Sequence, residues 1–166
     1  MGCLLQQSRP HREYHIPGGA FLRTAQQLFW LWRLMRHKMV WLLIGGAVGT
    51  LLRYEVGQWF KSHPLGQIFP LGTLFINVAG SFILAFAASV IQNRLLPEYM
   101  DRMNLLICVG FCGGFTTFST FEWETFQLVS KGSWLLAFAN VAGSVLAGFT
   151  GVFFGVKLAQ FWFPET

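Results

Sequence analysis

The residues able to do chemistry in this chain are few, and most sit inside apolar sequence. Gly110 to Phe121 reads GFCGGFTTFSTF, adjacent glycines followed by hydroxyls set among phenylalanines. Glycine pairs weaken helices, and hydroxyls are costly in hydrocarbon unless something satisfies them. The segment therefore predicts a helix broken at Gly113 and Gly114. A break at membrane depth exposes carbonyls, which is tolerated only where protein buries them or they bind something. Carbonyl and hydroxyl oxygens around Thr116 and Thr117 suit a hard cation such as Na⁺. Phe118 and Phe121 follow at i, i+3, about 60° apart around a helix. Their rings either pack against lipid or present positive edges to a desolvated anion.

Further polar residues lie within the apolar sequence at helical spacing. Thr73, Asn77 and Ser81 recur every four residues, as do Asn140, Ser144 and Gly148, which stacks each set on one helical face. Two such stripes either line a shared hydrophilic track or join helices through hydrogen bonds worth about 1 kcal/mol. The pairs Gly45–Gly49 and Gly151–Gly155 have GxxxG spacing and read as helix packing. Glu122 and Glu124 stand near the end of their apolar run, where water reaches them. Arg53, in GTLLRYEVG, either concentrates anions at a vestibule or snorkels to the interface. Cys108 and Cys112 are too rigidly spaced for an easy disulfide and lack the partners of a metal site. His11 and His15 share a face without a third ligand. All four histidines (His11, His15, His37, His63) lie outside the apolar runs, and no nucleophile–base pair accompanies them, so an enzyme is not expected.

The elements that must position these groups follow from composition. The chain has 166 residues, 54% hydrophobic and only 11% charged, whereas soluble domains are about one-quarter charged. Four runs are long enough to span about 30 Å of hydrocarbon: Val40–Phe60, Ile68–Ile91, Asn104–Val129 and Trp134–Phe163. The connectors KSHPLGQ, NRLLPEYMDR and SKGS carry breakers and charges, and Trp41, Trp59, Tyr99, Trp134 and Trp162 mark the interfaces. The expected fold class is all-α integral membrane, four transmembrane helices with the third broken. A β-barrel is excluded by run length and by the absence of alternation.

Residues 1–38 differ in kind from residues 39–166, the membrane domain. SRPHREYHIPGG reads as disordered, and AFLRTAQQLFWLWRLMRHK as a basic amphipathic helix on a membrane surface. Arg9, Arg12, Arg23, Arg33, Arg36 and Lys38 all precede Met39, half of the twelve cations behind the net charge of +5. The membrane part is left neutral, which argues against nucleic acid as a partner. The functional chain is expected to start at or near Met39.

GGAVGTLLRY in the first span, GTLFINVAGSF in the second and GFCGGFTTFSTF in the third together resemble the small dual-topology fluoride channels, the Fluc or CrcB family. The resemblance covers about Met39 to Phe163. It implies an antiparallel homodimer in the cell inner membrane, with two fluoride pores and a structural Na⁺ at the dimer centre. Carbonyls of Gly113 and Thr116 would hold that ion. The implied pore set is Phe118, Phe121, Asn77 and Ser144, with Thr120 and Thr73, and the implied vestibule residue is Arg53. Asn140 stands where family members can carry Tyr, and the basic extension is unlike the family.

Two other readings fit parts of the sequence. A small four-helix proton-coupled multidrug exporter fits the length, but it needs a mid-membrane acid and Glu55 lies at the end of the first span. A non-transporting membrane scaffold explains the GxxxG pairs but not the aligned polar stripes.

Overall fold

The computed structural model describes the backbone from Gly18 to Pro164 and side chains from Lys38 to Pro164. Residues 1–17, which include most of the segment expected to be disordered, lie outside the described residues, as do the side chains that would make the following helix amphipathic. Arg36–Thr166 forms a unit by itself. Helix α1 runs Gly18–Lys61, and short helix α2 covers Pro64–Ile68. Helix α3, Leu71–Arg94, is followed by α4, Pro97–Met103. A π-helical segment, Asn104–Cys112, continues into one helical turn, α5, Gly113–Phe115. The remaining helices are α6, Phe118–Ser130, and α7, Trp134–Trp162.

Among the described residues, four helical stretches are long and apolar enough to cross a membrane: Lys38–Lys61, Leu71–Arg94, Pro97–Ser130 and Trp134–Trp162. Prolines set several of the boundaries. The second span starts at Leu71 rather than Ile68, because Phe69 before Pro70 is extended (φ −134°, ψ 144°), as a residue before proline prefers. Pro64–Ile68 is thereby cut off as a separate helix. The third span starts earlier than Asn104. Pro97 opens α4 at its first turn, where its missing N–H costs nothing. The last turn between spans uses Gly132 at φ 75°, a left-handed conformation open to glycine.

Close approach of backbones holds the spans together. A Cβ on Gly45 or Gly49 would run into the carbonyls of Leu106 or Phe111, and on Gly155 it would meet the Phe82 carbonyl at 2.5 Å. The two GxxxG pairs are therefore contact faces, α1 against the π-helical segment and α7 against α3. A small core of Ala87, Ile91 and Cys108, with Met100, Met103 and Ile107 against it, closes one end.

Candidate functional site

The third span is broken, but three residues beyond the expected place. Gly113 is helical at φ −65°, ψ −35°. Extended backbone appears instead at Thr116 (φ −77°, ψ 157°) and Thr117 (φ −150°, ψ 117°). The glycines have separate uses. A Cβ on Gly114 would sit 2.6 Å from the Gly46 carbonyl oxygen, so this residue lets α1 approach, while a Cβ on Gly113 would meet nothing within 4 Å. The threonines end the helix because their hydroxyls bond the backbone locally. Thr116 gives both its N–H (2.9 Å) and its Oγ1–H (2.8 Å) to the Cys112 carbonyl. Thr117 Oγ1 accepts the Thr120 N–H at 3.3 Å and so caps α6.

Asn77 holds the break from α3. Its Nδ2 donates to the Thr117 carbonyl at 3.0 Å, and its Oδ1 accepts the Thr117 N–H at 2.8 Å. One side-chain amide thus pairs with both backbone groups of a residue that has left the helical ladder. This pairing frees specific carbonyls. In an unbroken helix the Thr117 N–H would go to Gly113 and the Thr120 N–H to Thr116. Both amides are diverted, so the Gly113 and Thr116 oxygens lose their helical donors. Arg53 Nη1 reaches the Thr116 oxygen at 3.4 Å, a long contact that takes one of its two lone pairs. Neutral carbonyl oxygens are what a hard alkali cation requires. The donor set therefore fits Na⁺, but two oxygens from one chain are too few to replace its water.

Two cavities flank the break. One of about 390 Å³ is lined by Asn77, Gly113, Thr116, Phe118, Phe121 and Ser144, with Ser81, Cys108 and Cys112. None of its lining side chains is charged. Ser144 Oγ is buried there without a hydrogen-bond partner. The rings of Phe118 and Phe121 are 5.8 Å apart and inclined by 38°. The other cavity, about 290 Å³, holds Arg53, Thr73, Thr120, Lys61 and Glu124. Glu124 Oε2 is also buried without a partner. Thr117 lines both cavities. The residues expected to share one path are thus divided, Asn77, Phe118, Phe121 and Ser144 on one side of the break and Arg53, Thr73 and Thr120 on the other.

Of the two readings of its stripe, Asn140 follows the helix-joining one. It is 1% exposed and lines neither cavity; its Nδ2 donates to Thr125 Oγ1 at 2.8 Å. The sequence carried a signal for this pair. Thr125 lies seven positions before Gly132, the centre of the α6–α7 turn, and Asn140 eight after it, where antiparallel helices place them side by side. Glu55, the acid at the end of the first span, lines neither cavity. Among the described residues no three His, Cys, Asp or Glu gather around a common point.

Comparison with known proteins agrees with this architecture. The family described as CrcB-like protein, Camphor Resistance (CrcB), matches residues 40–156. A protein of Solibacter usitatus named Fluoride-specific ion channel FluC is 42% identical over 123 residues, covering 74% of this chain and 98% of the relative. Proteins of the same name from Roseiflexus (42% over 117 residues; 70% and 92% covered) and Pyrococcus abyssi (42% over 119 residues; 72% and 93%) are similarly close. With the family matching residues 40–156 and relatives covered over nearly their whole length, the chain belongs to the CrcB-like protein family.

Proposed function

We propose that this chain is a multi-pass membrane channel through which fluoride leaves the cytoplasm passively. The observation that carries the reading is the broken third span. Its Thr116 and Thr117, its two phenylalanines and the Asn77 amide gather at an uncharged 390 Å³ cavity. A small anion stripped of water needs donors without a fixed cation that would trap it. Asn77 has a second N–H, Ser144 has an unpartnered hydroxyl, and ring edges carry partial positive charge. In the neighbouring cavity Arg53 and Lys61 outnumber Glu124, a balance that favours anions there.

The finer reading is an antiparallel homodimer. In a single copy Phe118 is 70% exposed, and Gly113 is exposed beside it. A second copy would cover both and supply the further carbonyls that Na⁺ needs, with Gly113 and Thr116 contributed by each chain. The ion would act as a fixed link between the broken helices, and no step of permeation requires it.

Expression in a bacterium lacking its own fluoride exporters tests the proposal. Cells carrying this chain should grow in fluoride that arrests the parent strain. Growth no better than the parent, with the protein present in the membrane, would remove the proposal.

A further inference from the structure

The amide of Asn140 begins a short relay that ends on a pore residue. Its Nδ2 donates to Thr125 Oγ1 at 2.8 Å, and Thr125 Oγ1 in turn donates to the Phe121 carbonyl at 2.7 Å. The hydroxyl accepts from one helix while donating within another, and bonds in such a chain strengthen each other. Asn140 is also the largest fully buried side chain among the described residues. A buried amide is costly unless bonded, so it constrains whatever satisfies it. Here that is α6, the helix carrying both phenylalanines.

Helix α6 is held by side-chain amides at two places. From α3, Asn77 grips Thr117, just before the helix begins. From α7, Asn140 grips Thr125, about two turns along. Phe118 and Phe121 lie between these points, and each is carried by backbone that cannot rotate without breaking one grip. We infer that Asn140 is a positioning residue: acting through Thr125 on the Phe121 carbonyl, it fixes the rotation of α6 and hence the angle at which the Phe121 ring meets a permeating anion. The inference rests on the proposed channel function and assigns Asn140 no contact with the ion.

The test is fluoride and chloride efflux from liposomes holding the purified full chain, compared among variants of matched stability and elution. Asn140→Leu keeps bulk and removes the donor; Thr125→Val keeps shape and removes the hydroxyl. Each should lower the fluoride-to-chloride efflux ratio by about tenfold, as expected for a lost buried bond, and the double variant should be no worse than the poorer single one. Thr125→Ser, which retains the hydroxyl, should restore the wild-type ratio. Adding Asn140→Leu to Phe121→Ile should cause no further loss, because the ring being positioned is gone.

An unchanged ratio in Asn140→Leu, or losses that simply multiply in the Asn140→Leu/Phe121→Ile pair, would overturn the inference. If Asn140→Leu fails to fold, Thr125→Val decides by the same criteria. Failure of both to fold would make the relay structural and also overturn it. A wild-type chain that releases no fluoride would instead defeat the proposed function, so the two failures are told apart.

Discussion

Asn77 bonds both backbone groups of Thr117, so replacing it by aspartate acts twice. A carboxylate would face the Thr117 carbonyl, acceptor against acceptor, and would place a negative charge beside the anion path. Asn77→Asp should therefore reduce fluoride flux by a hundredfold or so, equivalent to about 3 kcal/mol for a lost bond to a charged group. A flux assay on liposomes checks this, and undiminished flux would remove Asn77 from the site. For Phe118 and Phe121, isoleucine keeps bulk but deletes the ring quadrupole. Each substitution should cost about tenfold in flux with the fold retained, since aromatic interactions are worth about 1 kcal/mol beyond packing. Normal flux in both variants would leave the rings as packing alone. At this scale the sequence was informative about residue types and poor about partners. Thr73, Asn77, Ser144 and the phenylalanines do line cavities, because helical spacing fixes which face a residue occupies. What that face meets depends on the neighbouring helix, so the sequence left open whether Asn140 lines a track with Ser144 or joins helices, and its burial against Thr125 shows the second.

The elements separate what propensity sets from what contact sets. Long apolar runs marked the spans to within about three residues, except that the third begins at Pro97 rather than Asn104. The break was misplaced because two glycines suggest a weak point, yet Gly114 is helical and used for approach to Gly46. The chain turns out of the helix at β-branched threonines, whose hydroxyls offer the backbone other partners. The π-helical register of Asn104–Cys112 had no legible signal, since it differs from an α-helix by one residue per hydrogen bond and not by composition. The close packing of α1 makes a sharp prediction. Gly49→Ala would drive a Cβ against the Phe111 carbonyl and should destabilise the protein by about 1–3 kcal/mol, as overpacking does. Gly143→Ala, in α7 with nothing within 4 Å of its Cβ, should instead stabilise it by about 0.5–1 kcal/mol. Thermal unfolding in detergent would distinguish them; equal midpoints would show that the α1 contact is loose.

Across the whole molecule, charge governs orientation. With the amino terminus on one side, Arg94, Arg102 and Lys157 share that face, and Arg53, Lys61 and Lys131 lie towards the other, three against three. Such a balance gives no positive-inside bias, which is the condition for copies to insert both ways and pair antiparallel. The six cations before Met39 add to one face only. Carboxyl-terminal reporter fusions should show residues 39–166 inserting in both orientations, and the chain with residues 1–38 mainly with its amino terminus in the cytoplasm. Equal insertion of both forms would show that the basic segment does not set orientation.

The claim on which the rest depends is that the uncharged cavity beside the broken helix passes fluoride in preference to other anions. Liposomes loaded with equal fluoride and chloride and containing the purified chain can be monitored with an electrode for each ion. Fluoride should leave rapidly down its gradient while chloride is retained. Chloride leaving as fast as fluoride, or no release of either from liposomes shown to contain folded protein, would contradict the account.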